Sequence, residues 1–122
     1  MAAIANWAGT LSEHMLKIGG SGAILLTAMV VGSHSTTQTM MTPLLAPAWF
    51  AVGVSPEYAA IASSHLAMGG QGLPPADVNT FAVAGLVSGI LGKTVDPMKS
   101  MIYCTFTYCW YLVAVGFLFL YL

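Results

Sequence analysis

Charged residues are what this sequence has least of. Of its 122 residues only 6% are charged, three lysines and four acids, and arginine is absent. Soluble domains carry about 25% charged residues, so this chain cannot cover a water-facing surface. Hydrophobic residues make up 57%. The composition predicts an all-α integral membrane protein, with membrane lipid as its surroundings and no nucleic acid as a partner.

Cysteine is scarce as well. Cys104 and Cys109 lie five residues apart inside an apolar stretch. This spacing and setting favour two thiols that pack as small hydrophobes over a disulfide or a metal site. The opening "MAAIANWAGTLSEHML" has no basic region followed by an apolar run and a cleavage site, so no signal peptide is expected.

The chain forms a single membrane domain of four apolar blocks, and the outer two are the simplest. Residues 1–18 place Trp7, Leu11, Met15 and Ile18 at three- and four-residue steps, which predicts an amphipathic helix that ends at Gly19-Gly20. Whether this helix spans, lies at the interface or packs beside a channel stays open. Residues 101–122 hold no charge, and 22 helical residues are long enough to cross a hydrocarbon core of about 30 Å. They predict a C-terminal transmembrane helix.

The two middle blocks are each broken by a polar or glycine-rich stretch. Residues 21–54 read as apolar, then "GSHSTTQ", then apolar again, and residues 56–92 are broken by "GGQGLPP". Neither half of either block reaches the roughly 20 residues of a full span. We therefore predict a re-entrant helical hairpin over 21–54 and an interrupted transmembrane helix over 56–92. Pro74 and Pro75 are expected to start its second half, with Asp77, Asn79 and Thr80 in the first turns.

Broken backbone at membrane depth survives only where it is buried in protein or lines a polar cavity. Transporters use such breaks, because helix N-termini attract anions while unwound carbonyls bind cations. Two breaks in a short chain therefore predict a substrate site. We expect residues 32–38 and 69–75 to be non-helical, to lie near membrane depth and to approach one another.

The same stretches resemble a known family. "TPLLAPAWFAVGVSPEYAAIASSHLAMGGQGLPPADVNTFAVAGL" is similar to the C-terminal repeat of the large membrane subunit of TRAP transporters, and "GSHSTTQ" followed by "GVSP" is similar to the lactate permease pattern. Gluconate and citrate permeases share this architecture, so the resemblance is to the ion transporter superfamily, over about residues 20–122. It implies secondary active transport of a small organic anion, a carboxylate or hydroxycarboxylate, coupled to sodium or protons in a bacterial inner membrane.

Two features depart from that pattern. Asp77 stands where the TRAP pattern has a glycine, and Leu73 stands where it has a threonine. Members of the superfamily contain two inverted repeats and are several times longer. The resemblance therefore implies that this chain is one repeat, which is either a fragment of a longer transporter or a subunit that a companion chain or a second copy of itself completes.

Candidate site residues come from the two breaks. Hydroxyl and imidazole groups at the first break can hold a carboxylate, and neutral oxygens together with Asp77 at the second break can hold a cation. The expected substrate-binding residues are Ser33, His34, Ser35, Thr36, Thr37 and Asn79. The expected cation-coupling residues are Asp77, Asn79, Thr80, Gly70 and Gly72, with sodium as the only ion and no further cofactor.

A purely structural role remains the alternative for each group of residues. The hydroxyls can simply satisfy the broken backbone, and Asp77 can simply begin a helix. His65 is expected to pack in the core, and His14 to be solvated.

No catalytic arrangement appears in the sequence, so an enzyme is not expected. A structural subunit that transports nothing, or an ion channel subunit, remains the alternative.

Overall fold

The computed structural model describes residues 10–75 and 77–122, and everything said here of the structure refers to them. The first half of the predicted helix over 1–18, residues 1–9, therefore lies outside the described residues. Six α-helices and one π-helical turn make up the described part, which holds no strand. In chain order these are α1 Glu13–Val31, α2 His34–Ala51, α3 Pro56–Gln71, α4 Val78–Leu91, α5 Pro97–Cys104, the π turn Thr105–Cys109 and α6 Trp110–Phe119.

Helix α3 lies at the centre of the molecule. It packs against α1, α2 and α6, whereas α4 contacts mainly α5. A Cβ atom built at Gly69 would meet Val113 and one built at Gly116 would meet Leu66, so α6 runs antiparallel to α3. The main core lies among these helices and contains Ile24, Trp49, Val54, Ala59, Ala62, Leu66, Ala67 and Leu120.

The predicted end of the first helix at Gly19-Gly20 is wrong. Helix α1 begins after the cap residue Ser12 and continues to Val31. Glycine weakens a helix by about 1 kcal/mol, but here packing offsets that cost. A Cβ atom at Gly20 would lie 2.9 Å from the indole Nε1 of Trp49, so glycine lets this buried ring rest directly on the helix backbone.

The first break is shorter than predicted, because residues 34–38 are helical. Gly32 ends α1 with a φ of 66°, a conformation that favours glycine. Ser33 then caps α2, which starts at once with His34. Helices α1 and α2 have 19 and 18 residues, so both are longer than the half-helices that the sequence predicts.

The second break is displaced toward the C-terminus. Residues 69–71 are helical, and the chain leaves the helix only between Gln71 and Val78. The prediction that Pro74 and Pro75 start the next helix is wrong, because Asp77 caps α4 and the prolines precede the cap. A proline disfavours helical backbone in the residue before it, which keeps Pro74 out of a helix.

Two helices are long and apolar enough to cross a membrane. They are Glu13–Val31, with 19 residues, and the continuous helical segment Pro97–Phe119, with 23 residues. The second begins four residues before the predicted start at Met101, because Asp96 caps it and Pro97 occupies its first turn.

Candidate functional site

The two breaks meet through one pair of residues. The backbone N–H of His34, at the start of α2, donates to Oε1 of Gln71 at 2.9 Å. The imidazole Nδ1 of His34 lies 2.7 Å from the same oxygen. The expected approach of the two breaks is confirmed by these bonds.

Gln71 extends the contact to Asp77. Its Nε2 donates to Asp77 Oδ1 at 3.3 Å, so the two ends of one amide join the first break to the carboxylate of the second. The backbone N–H of Asn79 donates to the same Oδ1 at 3.1 Å. The Thr80 hydroxyl donates to Oδ2. We call the side chains of Ser35, His34, Gln71, Asp77 and Thr80 the bridging network.

Donor and acceptor requirements fix the proton on His34. Oε1 of Gln71 can only accept, so Nδ1 of His34 carries a hydrogen. In the neutral ring, Nε2 is then free to accept from the Ser35 hydroxyl, which lies 3.2 Å away. The opposite end of the Gln71 amide is a donor, which is what the Asp77 carboxylate requires. Each member of the bridging network therefore has a partner of the right kind.

Asp77 is a buried carboxylate without a cationic partner among the described residues. Its residue surface is 8% exposed, and the ion pair in this part of the chain joins Lys17 to Glu13 instead. Three donors and the N-terminus of α4 stabilise its negative charge. A buried carboxylate balanced only by neutral donors retains attraction for a cation.

Other predicted site residues serve the backbone. The Ser33 hydroxyl accepts from the Thr36 N–H at 3.4 Å and from the Thr36 hydroxyl at 3.1 Å. The buried Thr37 hydroxyl donates to the Ser33 carbonyl oxygen at 2.8 Å. These bonds complete the N-terminus of α2 and leave His34 and Ser35 as the residues that reach toward α3.

Gly70 and Gly72 are close-packing positions. A Cβ atom at Gly70 would lie 2.8 Å from the Leu25 carbonyl oxygen, where α3 crosses α1. A Cβ atom at Gly72 would lie 2.6 Å from the Cys109 sulfur and 3.6 Å from that of Cys104. Both glycines hold the second break against neighbouring helices.

The π turn explains why both cysteines reach the break. Residues five apart lie on different faces of an α-helix, but i to i+5 hydrogen bonding brings them toward one face. Trp110 N–H bonds to the Thr105 carbonyl in this way. The sulfur atoms of Cys104 and Cys109 are 3.8 Å apart, and both are free thiols that pack under Gly72.

Asn79 and Thr80 also line a cavity of about 370 Å³ between α4 and α5. Valine and alanine side chains form most of its wall, together with Ser100. The remaining histidines lie elsewhere. His65 packs against Phe119 with its Nδ1 2.9 Å from the Ile61 carbonyl oxygen, and the exposed His14 stacks on Tyr121.

The sequence prediction omits Gln71, which makes most of the contacts between the breaks. A signal was present, since Gln71 is the one polar side chain within "GGQGLPP". A polar residue between glycines at a helix break is placed to bond to something outside its own helix. No family model, curated protein or solved structure matches this chain.

Proposed function

We propose that this chain is one half of a secondary active transporter in a bacterial inner membrane, moving a small organic anion together with sodium or protons. The observation that carries the proposal is the bridging network. It joins two helix breaks through a buried carboxylate that no cation of the described residues pairs with.

The energetic cost of this arrangement argues against a purely structural role. A carboxylate inside a membrane protein is expensive, and it is retained where it faces a partner, a cavity or an ion path. Scaffolding helices need neither interrupted backbone nor a buried acid. The two helices long enough to span, Glu13–Val31 and Pro97–Phe119, both pack against α3.

The proposed roles follow from the chemistry of each break. Asp77, with the oxygens of Asn79 and Thr80, attracts the coupling cation or carries the proton. The N-terminus of α2, with His34 and Ser35, receives the carboxylate of the substrate. Because Gln71 bonds to both sides, a change in the charge of Asp77 alters the contacts of His34, and this links the two ligands.

A companion half of the transporter would explain why α4 exposes so many apolar side chains. This helix buries only Ala84, while Val83, Leu86 and Ile90 are 58%, 69% and 83% exposed. It packs mainly against α5. In the proposed transporter a second copy or a companion subunit completes the site on the open side of the break.

Reconstitution tests the proposal. The protein, purified together with any chain that copurifies, is inserted into liposomes with imposed sodium or pH gradients. Uptake of labelled lactate, gluconate, citrate and succinate is measured. We expect saturable accumulation of at least one anion above its external concentration. Flux that never saturates and follows the membrane potential would identify a channel, and no flux of any anion would favour a structural subunit.

A further inference from the structure

Two free thiols lie closer together than their spacing in the sequence suggests. Residues five apart in a regular α-helix point about 140° apart around its axis. The π turn Thr105–Cys109 instead brings Cys104 and Cys109 toward one face, and their sulfur atoms are 3.8 Å apart. Single π turns inside α-helices occur frequently at functional sites. The proposed transport mechanism gives neither thiol a role.

The separation of the two sulfur atoms suits the formation of a disulfide. A disulfide bond is about 2.05 Å long, so the sulfurs would approach by roughly 1.7 Å from their present 3.8 Å. Modest rotations of both side chains cover that distance. A regular α-helix would turn the two side chains away from each other, so the disulfide forms only while the π turn persists.

Both sulfurs lie under the second break. A Cβ atom at Gly72 would lie 2.6 Å from the Cys109 sulfur and 3.6 Å from the Cys104 sulfur. Gly72 directly follows Gln71, whose amide holds the bridging network together. A change in the position of the Cys109 sulfur therefore acts on the packing of the break next to that network.

The two thiols lie near the middle of a helical segment that is long enough to span a membrane. Cys109 is 12 residues after Pro97 and ten residues before Phe119, the two ends of that segment. In a membrane this position lies within the hydrocarbon core, out of reach of charged oxidants in the water phase. Cys104 is partly exposed, whereas Cys109 is buried. An apolar oxidant dissolved in the bilayer therefore reaches Cys104 first.

We propose that Cys104 and Cys109 are a redox-sensitive pair that membrane quinones oxidise to a disulfide. Both S–H bonds break and one S–S bond forms, while two electrons and two protons pass to the quinone, which becomes a hydroquinone. The disulfide locks the π turn against Gly72. Tyr103 and Tyr108, which precede the two cysteines, are exposed aromatic rings on which a planar quinone can pack. The inference uses the membrane location in the proposed function, but not transport itself.

Thiol counting tests the inference. The purified protein, with any chain that copurifies, is reduced, reconstituted into liposomes under argon and treated with duroquinone, whose fully methylated ring resists addition of thiols. Maleimide labelling after denaturation, followed by mass spectrometry of the peptide that contains both cysteines, counts the remaining thiols. We expect loss of both thiols, one hydroquinone per disulfide, and recovery of both thiols with dithiothreitol. Two labelled thiols after quinone treatment would overturn the inference.

Variants assign the reaction to this pair. Cys104→Ser and Cys109→Ser each leave one thiol without its partner, so each should keep that thiol and produce no hydroquinone. Thr107→Val is the matched control, because it alters the same turn, where the Thr107 hydroxyl bonds to the Tyr103 carbonyl, and keeps both thiols. It should react like wild type. A hydroquinone yield from either serine variant that equals the wild-type yield would overturn the assignment.

The oxidant and the locked turn have separate readouts. Glutathione disulfide in the water phase should leave both thiols intact over the time in which duroquinone removes them, and equal rates would overturn the role of quinones. Hydrogen exchange at the Trp110 amide, which bonds to the Thr105 carbonyl, should be slower in the oxidised protein than in the reduced protein. Equal exchange in the two forms would contradict a locked turn.

The inference and the proposed function can fail separately. Quinone oxidation of the pair without uptake of any anion would support the inference and contradict transport. Anion accumulation by a protein whose thiols resist duroquinone would leave transport standing and overturn the inference.

Discussion

At the scale of single residues, Gln71 has the largest consequence for the site. Its amide is the only described link between His34 and Asp77, since Oε1 accepts from one side and Nε2 donates to the other. The side chain is buried, so water does not replace these bonds when they are removed. Gln71 is therefore a positioning residue for both breaks.

Replacing Gln71 by leucine tests this role. Gln71→Leu leaves the His34 N–H without its acceptor and removes one of the three donors to the Asp77 carboxylate, so we expect the free energy of unfolding to fall by about 2 to 4 kcal/mol. Titration with a denaturing detergent measures it. Gln38→Leu is the matched control, because Gln38 is only partly buried and takes no part in the hydrogen bonds that join His34, Gln71 and Asp77. Equal stability of the two variants would contradict the role given to Gln71.

Single-residue roles were only partly predictable from the sequence. Asp77 stood out because an acid in an apolar block is rare, and His34 stood out as an imidazole within a break. Gln71 did not stand out, because its importance comes from the distance between two breaks that lie 37 residues apart. Sequence spacing carries no information about that distance.

At the scale of helices, the sequence indicates where polar stretches occur but places the helix ends wrongly. The glycine pairs Gly19-Gly20 and Gly69-Gly70 led to predicted helix breaks, yet both pairs lie within helices. The reason is packing. Gly20 faces Trp49, while Gly69 and Gly70 face α6 and α1, and these contacts are non-local. Hydrophobic periodicity cannot separate a glycine that ends a helix from one that lets a neighbouring helix approach.

Glycine-to-alanine substitutions separate these two roles. Gly70→Ala places a methyl group 2.8 Å from the Leu25 carbonyl oxygen, so we expect a loss of about 1 to 3 kcal/mol in the free energy of unfolding. Gly22→Ala, on α1, meets no atom within 4 Å, and should be neutral or stabilising by up to about 1 kcal/mol. Stabilisation by both substitutions would show that α1 and α3 do not cross closely at Gly70.

The contact between the second break and the π turn gives a further prediction. Gly72→Ala should destabilise the protein by about 1 to 3 kcal/mol, because the new methyl group would lie 2.6 Å from the Cys109 sulfur. Removing that sulfur in Gly72→Ala/Cys109→Ala should recover part of the loss. A double-mutant cycle measures the coupling, and strict additivity of the two substitutions would contradict the contact.

At the scale of the whole molecule, the described helices divide into a closely packed group of four and a pair, α4 and α5, in which α4 has few contacts with that group. Helices α1, α2, α3 and α6 surround the main core. Helix α4 follows the second break and packs mainly against α5. The composition predicts the all-helical character of the chain, which the structure confirms. The exposed face of α4 is where we propose that a companion subunit or a second copy packs, and a single chain does not contain that surface.

The proposed transport mechanism depends on the charge of Asp77, and two aspartates allow a matched test. Asp77 and Asp96 both cap a helix by accepting the backbone N–H two residues ahead, at 3.1 and 2.9 Å. Asp77 is buried in the bridging network, whereas Asp96 is exposed. Asparagine also caps helices well, so each Asp→Asn variant should keep its helix.

The most direct measurement is gradient-driven uptake by proteoliposomes that contain equal amounts of wild type, Asp77→Asn or Asp96→Asn. The labelled anion is the one that wild type takes up fastest among lactate, gluconate, citrate and succinate. We expect Asp77→Asn to lose accumulation, with an internal concentration that only reaches the external one, while exchange between equal pools persists and Asp96→Asn accumulates like wild type. Wild-type accumulation by Asp77→Asn would contradict the coupling role of this carboxylate.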